Sequence, residues 1–340
     1  MSSAGGIFTE NFLKIAFVFV GTVIGAGFAS GQEVLQFFVR YGSSGILGIF
    51  IAVSFFTLLC TCVLCKISVT KADNVSRYFG VGFPVWFRKM YNILSVLFMC
   101  ASYGVMVTAT GQLFAEQFAM PFWFGVTLMN VICVFCFIKG EEGVIGINKF
   151  LTPIIIGVVV LIFLCDNVRP VFGTTKIFDN APVSSMVYAS YNTISLVAVL
   201  TTVSNYVKNK TTAVLASLTG GFILLVTALC IFMILRNSPC SLGEIPMLDA
   251  VSGKFKTLYC IVLLFAVITT AVSSGAGVIN NVRTNRLVTM ALLVTLSVFM
   301  CAAGFKQLVM YVYSAFGYLG FAVMIFTICD GIKFIKQRNN

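Results

Sequence analysis

Three glycines in the first long apolar segment would weaken a helix in its middle. They are Gly21, Gly25 and Gly27, within the stretch GTVIGAGFASGQE at residues 21–33. Each glycine costs a helix interior roughly 0.5–1 kcal/mol relative to alanine. Unwinding between Gly21 and Gly27, around Ile24 and Ala26, would free backbone carbonyls on one side and N–H groups on the other.

Freed backbone groups inside a bilayer need partners, because an unpaired group costs several kcal/mol there. A cation can bind the carbonyls, and a carboxylate can bind the N–H groups. We therefore expect a binding site at this interruption. The alternative is a helix-packing face, since Gly21 and Gly25, and then Gly27 and Gly31, recur at spacing four.

Two later apolar segments carry rows of polar side chains. The sixth contains Ser190, Tyr191, Asn192 and Thr193, and the eighth contains Thr269, Thr270, Ser273 and Ser274. The first row predicts a second discontinuous helix facing the first, with interhelical hydrogen bonding as the alternative. The second row offers hydroxyl oxygens that suit an alkali cation, although mid-helix threonines also bond to the preceding turn.

Glu33 lies about two turns beyond the first interruption, within the same apolar segment. An acid inside a membrane segment indicates a functional site by default. Three roles stay open: it could pair with a substrate amine, carry a coupled proton, or meet Lys306 or Arg40 near the membrane surface.

The composition indicates a polytopic, all-α membrane protein. Of 340 residues, 59% are hydrophobic and only 10% are charged, where a soluble domain has about 25% charge. Apolar runs of membrane-spanning length recur along the chain. The cysteines lie mostly in apolar segments and favour packing over disulfide or metal chemistry. Ten spans are predicted at 11–38, 44–66, 91–117, 121–138, 144–165, 183–207, 212–235, 255–280, 286–303 and 305–329.

The basic residues indicate the orientation of these spans. If both termini are cytoplasmic, roughly two thirds of the 22 lysines and arginines fall on the cytoplasmic side. We expect a single transporter-like domain over 1–340 in the plasma membrane, with lipid and a small molecule as partners and no nucleic acid. Ten spans divide into repeats at 11–165 and 183–329, and five spans per repeat would insert the second upside down. No segment indicates a particular oligomeric state.

Together these motifs resemble the LeuT-fold, amino acid–polyamine–organocation superfamily of transporters. The pattern G-x-x-[VI]-G-x-G appears at Gly21–Gly27, and A-x-x-[ST]-[ST] appears at Ala266–Thr270. KGEEGVIGINKFLTPII, at the start of the fifth span, resembles the corresponding stretch of neurotransmitter-sodium symporters. IGAGFASGQE, in a ten-span chain of this length, is similar to YkvI-type bacterial membrane proteins of the same superfamily.

The resemblance implies a sodium-coupled symporter of a small amino acid or related amine that works by alternating access. Its coupling ion would be Na+, with no other cofactor. The implied sodium ligands are the carbonyls of Gly21, Ile24 and Ala266 and the hydroxyls of Thr269 and Thr270. The implied substrate contacts are Gly25, Ala26, Gly27, Tyr103, Tyr191 and Asn192, with Glu33 as a further candidate.

The sequence departs from some relatives. Many carry an arginine shortly after the helix 1 break, where this chain has Gly31, Gln32 and Glu33. The divalent-metal branch would show aspartate and asparagine at the break together with methionine in helix 6, and this combination is not present. Two alternative functions stay open: a transporter coupled to protons through Glu33, and a ligand sensor that transports nothing. With no histidine, no close acid pair and no nucleophile motif in the spans, an enzyme is disfavoured.

Overall fold

The computed structural model describes residues 2–80, 83–139, 142–165, 180–237, 243–282 and 285–336. These residues form helices and connecting turns, with no strand among them. The helices that carry the site are α1 (Ser2–Val23), α2 (Ala26–Ala29), α3 (Gln32–Phe37), α9 (Ala181–Thr202) and α12 (Gly253–Asn281). The remaining helices are α4 (Ser44–Thr70), α5 (Val75–Gly80), α6 (Val85–Phe118), α7 (Phe122–Lys139), α8 (Glu142–Cys165), α10 (Lys210–Arg236), α11 (Pro246–Ala250), α13 (Arg286–Cys301), α14 (Phe305–Gln307) and α15 (Ser314–Lys336).

Six helical segments are long and apolar enough to cross a membrane: α4, α6, α9, α10, α12 and the continuous stretch Phe305–Phe334. Shorter apolar helical stretches lie at Phe12–Val23, Phe122–Ile138, Thr152–Cys165 and Arg286–Cys301. Each of the ten predicted spans overlaps one of these helical stretches, and the chain is a multi-pass membrane protein, while the count of ten membrane spans stays a prediction. The inverted five-plus-five repeat stays a prediction.

Local sequence signals set several helix ends. Proline cannot donate a backbone hydrogen bond and restricts the residue before it, and α6 begins directly after Pro84. The side chain of Asn209 caps α10 by accepting from the Thr212 amide at 2.8 Å. The α6 start at Val85, earlier than the predicted residue 91, shows that the aromatic stretch after Pro84 continues the helix.

The centre of the molecule is built around α9, which packs against α1, α3, α4, α6 and α15. A second group of contacts joins α12 to α2, α6, α7 and α8. Large apolar side chains such as Phe50, Leu164, Phe222, Phe299 and Tyr318 are exposed on the outside. Lipid would cover these side chains, because such an apolar exterior suits a hydrocarbon environment.

A buried ion pair joins α4 to α15. Lys66 Nζ lies 2.6 Å from Asp330 Oδ2, and the Lys66 side chain is only 1% exposed. The same ammonium group lies 4.6 Å from the ring centre of Tyr78 and 5.1 Å from that of Phe83. Aromatic faces therefore assist the carboxylate in stabilising the buried charge.

Candidate functional site

The first membrane segment is interrupted between α1 and α2. The α-helix ends at Val23, the chain bends at Ile24, and Gly25 adopts an extended conformation with φ −80° and ψ −177°. Among the described residues, no backbone amide donates to the carbonyls of Gly21, Thr22, Val23 or Ile24. The predicted interruption is confirmed, and it leaves four carbonyls without backbone partners, as at any helix end.

Each glycine of the interruption faces a different neighbour. A methyl group at Gly21 would overlap Thr152 Oγ1 of α8, and one at Gly27 would overlap the carboxyl group of Glu33. At Gly25 the nearest atoms would be Cγ2 and Oγ1 of Thr270, both at 3.9 Å. The glycines therefore allow Thr152 of α8, Thr270 of α12 and Glu33 to lie close to the broken helix.

The same segment breaks a second time, between α2 and α3. Gly31 has φ +81°, a left-handed conformation that glycine adopts without strain. The Ser30 hydroxyl donates to the Gly27 carbonyl at 2.8 Å, and the amide of Gln32 donates to Ser30 Oγ at 3.3 Å. This turn aims α3, and with it Glu33, back toward the centre of the protein.

The short helix α11 closes over this turn. The Met247 amide donates to the Ser30 carbonyl at 3.0 Å, and the Tyr259 hydroxyl of α12 donates to the Ala29 carbonyl. Pro246, Met247 and Leu248 are buried. Helix α11 is buried because its apolar residues pack on α3 and α10, so it covers this end of the broken segment.

Glu33 is the central polar group of the site and is 5% exposed. The hydroxyl groups of Tyr188 and Tyr191 in α9 both face its carboxyl group. Neither hydroxyl has the geometry of a hydrogen bond to any described protein group. Buried polar atoms in native proteins are nearly always paired, so this cluster has unused capacity for hydrogen bonds.

Aromatic rings form the walls around these hydroxyls. Ring centres lie 5.4 Å apart for Phe37 and Tyr188, 5.7 Å for Phe37 and Tyr191, and 5.5 Å for Tyr188 and Tyr191. Tyr313 adds a further ring, 5.0 Å from that of Tyr191. The carboxyl group of Glu33 therefore lies within an aromatic enclosure.

Tyr313 reaches this enclosure from a π-helical turn, Leu308–Tyr313, just before α15. Such turns are rare and occur frequently at functional sites. The turn packs against α3, and the Tyr313 hydroxyl interacts with Ser102 of α6. Ser102 in turn accepts from Ser274 of α12 at 3.2 Å, which links the aromatic enclosure to the predicted cation-binding helix.

The threonines of α12 lie beside the first interruption. The hydroxyls of Thr269 and Thr270 both donate to the Ala266 carbonyl, at 3.0 and 2.8 Å. A donating hydroxyl keeps lone pairs on its oxygen, so this bonding leaves both oxygens able to bind a cation. The structure places Thr270 next to Gly25, as the motif predicts, while the sodium assignment itself stays a prediction.

The prediction of a discontinuous sixth helix is wrong. Helix α9 is unbroken from Ala181 to Thr202, because its polar side chains bond within the helix and to a neighbour. Asn192 Nδ2 donates to the Tyr188 carbonyl at 3.1 Å, and the Thr193 hydroxyl donates to the Ala189 carbonyl at 2.8 Å. The Ser190 hydroxyl donates to the Gly317 carbonyl of α15. Interhelical and local hydrogen bonding, the alternative considered above, explains this polar row.

Tyr103 makes its described contacts with α7. Its hydroxyl donates to Asn130 Oδ1 at 2.8 Å, and the Ser297 hydroxyl donates to the same oxygen at 3.2 Å. The structure thus brings Tyr191, Gly27 and Glu33 together and ties Tyr103 to α7 and α13. Sequence reasoning missed Tyr188 and Tyr313. Tyr188 precedes Tyr191 by three residues on one helix face, a spacing that could have indicated it.

The fold is similar to that of known membrane transporters. The structure is similar to that of a mutant of the manganese transporter of Eremococcus coleocola, with a TM-score of 0.64 and 13% identity over 96% of this chain and 80% of that one. It is also similar to the inward-facing conformation of Mhp1, with a TM-score of 0.51 and 12% identity over 94% and 76% of the two chains. At such identities the likeness concerns the fold alone.

Two relatives from Bacillus subtilis match nearly the whole chain. The uncharacterized membrane protein YkvI is 25% identical over 339 residues, covering 93% of this chain and 95% of its own. The uncharacterized protein YyaD is 27% identical over 327 residues, covering 92% and 95%. No protein-family model matches the chain. The predicted similarity to YkvI-type membrane proteins is therefore found at the level of sequence.

Proposed function

We propose that this protein is a secondary active transporter that couples sodium to the symport of a small amino acid or related amine. The coupling ion would bind between α1 and α12, and the substrate would bind beside it against Gly25, Ala26 and Gly27. Tyr191 and Glu33 would complete the substrate site. The similarity of the fold to known membrane transporters supports the transport class.

One observation carries the sodium proposal. The carbonyls of Gly21 and Ile24 lack backbone partners at the point where the chain lies against α12, and Gly25 there faces Thr270. Sodium is a hard cation that prefers oxygen ligands. Carbonyl oxygens on one helix and hydroxyl oxygens on the next are a suitable ligand set, and binding would tie the two helices together.

Burial of the site fits an alternating-access cycle. Glu33 and Tyr191 are both buried, and α11 covers one end of the broken segment. A solute can reach these residues only if helices move. Rocking of the first, second, sixth and seventh spans against the others would open the site to either side in turn. Sodium would drive the cycle by binding one conformation more tightly than the other.

The protein would lie in the plasma membrane, and the distribution of its basic residues supports an orientation with both termini in the cytoplasm. Fusion of a reporter that fluoresces only in the cytoplasm, at each terminus in turn, tests this orientation. We expect both fusions to fluoresce. If only one of them fluoresces, the termini lie on opposite sides of the membrane, which would contradict an even number of spans.

Uptake by the purified protein in lipid vesicles tests the coupling. Radiolabelled amino acids and amines are supplied with and without an inward sodium gradient, and the same assay is run on Thr270→Ala. Uptake that requires sodium in the wild-type protein, and loses that requirement or falls at least tenfold in Thr270→Ala, is the expected result.

Thr295→Ala is the matched control. Like Thr270, Thr295 donates its hydroxyl to the carbonyl four residues earlier, that of Ala291, at 2.9 Å. Unlike Thr270, it is exposed and lies on α13. The control should transport like the wild type. Uptake that is equally fast without sodium would contradict the ion assignment, and ligand binding without counterflow would indicate a sensor.

Proton coupling through Glu33 is the second candidate. The observation that favours it is that this acid is buried with no basic partner among the residues that the structure describes. An unpaired buried carboxylate is costly, and a proton would neutralise it. In this case a pH gradient would drive uptake without sodium, and Glu33→Gln would abolish the response to that gradient while allowing exchange of substrate.

A further inference from the structure

The geometry points to an amine subsite in which Glu33, Tyr188, Tyr191 and Tyr313 bind a protonated primary amine that carries no carboxylate next to the nitrogen. This inference rests on the proposed function only in calling that amine the substrate. Of the two substrate classes proposed above, small amino acids and related amines, it selects the amines.

No basic side chain within the described part of the chain forms an ion pair with Glu33. Among the described residues, the ion pairs are Lys66–Asp330 and Arg77–Asp73. The two cations expected near Glu33 are Arg40 and Lys306, and both are exposed while Glu33 is buried. Arg40 stacks on the ring of Tyr41. A buried carboxylate usually has a paired cation, and none of the described side chains supplies one here.

The surrounding groups offer acceptors and negative potential. The carboxyl oxygens of Glu33 can accept hydrogen bonds. The buried hydroxyls of Tyr188 and Tyr191 face this carboxyl group but form no hydrogen bond of good geometry with any described residue. The faces of the surrounding rings attract cations, and Phe98 extends this wall, with its ring centre 5.8 Å from that of Tyr191 and 5.9 Å from that of Tyr313. A primary ammonium group, with three N–H donors and one positive charge, matches this set.

The position beside the broken helix argues against a substrate carboxylate. The Glu33 side chain lies directly on Gly27, where a methyl group would stand 2.9 Å from Cδ. The protein's own carboxyl group therefore occupies the place next to α2 at which a substrate carboxylate was expected. A second carboxylate there would face Glu33 at close range, and two like charges in a buried site repel strongly.

Binding by matched pairs of compounds tests this subsite. Phenethylamine is compared with phenylalanine, isobutylamine with valine, and cadaverine with lysine, by thermal shift and calorimetry on the purified full-length protein. A ligand that binds only the folded form raises the melting temperature. At least one amine should bind about tenfold or more tightly than the amino acid of its pair.

Glu33→Gln should weaken amine binding at least about tenfold, because it removes a charged hydrogen-bond partner. Tyr191→Phe should weaken it about two- to tenfold. Glu116→Gln and the lipid-exposed Tyr318→Phe are the matched controls and should bind like the wild type. If Glu33→Gln does not unfold cooperatively, Glu33→Asp and Tyr191→Phe supply the same comparison.

The subsite is overturned if no amine of the panel binds, if the amino acids bind more tightly than their amines, or if Glu33→Gln leaves amine affinity unchanged. These measurements detect binding and not transport. Glu33-dependent amine binding without counterflow would therefore contradict the proposed transporter and keep the subsite. Sodium-driven amino acid uptake that survives Glu33→Gln would contradict the subsite and keep the proposed transporter.

Discussion

Replacing Gly27 by alanine should displace the carboxyl group of Glu33. A methyl group at this position would overlap Glu33 Oε1 and stand 2.9 Å from Cδ and 3.2 Å from Cγ. Both residues are buried, so the side chain has little room to move away. Overpacking of a buried site costs about 1–3 kcal/mol, while alanine returns up to about 1 kcal/mol of helix propensity. We expect a net loss of about 0–2 kcal/mol.

A double-mutant cycle separates these two effects. Gly27→Ala, Glu33→Ala and the double variant are unfolded by denaturant in mixed micelles, and their free energies of unfolding are compared. Because Glu33→Ala removes the atoms that the new methyl group would meet, the double variant should recover the steric cost. The expected coupling energy is about 1–3 kcal/mol.

Gly157→Ala in α8 is the matched control, because a methyl group there would meet nothing within 4 Å. It should change the free energy of unfolding only through helix propensity. Gly27→Ala should also lose amine binding to the extent that Glu33→Gln does. A coupling energy near zero, together with unchanged ligand binding, would refute the placement of Glu33 on Gly27.

Further variants test the rest of the framework. Lys66→Met should lower the free energy of unfolding by about 3 kcal/mol, because it leaves Asp330 partly buried without its partner. The double variant Lys66→Met/Asp330→Leu should recover most of this loss. Arg77→Met removes an exposed ion pair and should cost under about 1 kcal/mol. A loss for Lys66→Met no larger than for Arg77→Met in the same unfolding assay would contradict the buried pair. Gly31→Ala should lower the thermal midpoint by several degrees relative to Gly157→Ala, since alanine at φ +81° costs about 1–2 kcal/mol; an unchanged midpoint would contradict the turn.

The interruption of the first span could be predicted because its cause is local. Glycines at 21, 25 and 27 weaken the helix wherever it packs, and the structure ends α1 at Val23. The proximity of α12 followed from a motif, and the structure places Thr270 beside Gly25. The residue types alone explain the interruption, whereas the proximity of α12 was predicted from the resemblance to a transporter family.

The features that sequence reasoning missed depend on tertiary contacts. The row of polar side chains in α9 was interpreted as a helix break, yet Asn192 and Thr193 donate hydrogen bonds to backbone carbonyls of the same helix. Tyr313 faces Glu33 by way of a π-helical turn, which shifts the register of side chains in a way that helical periodicity does not predict. The role of α11 as a lid depends on which surface its three apolar residues meet.

Direct binding of radioactive sodium to the purified protein tests the central claim, that the broken first span and α12 form a cation site. The wild-type protein and Thr295→Ala should bind sodium saturably, and Thr270→Ala should lose at least tenfold in affinity while unfolding at a similar temperature. Absence of saturable binding in the wild-type protein, or equal affinity in Thr270→Ala, would contradict it.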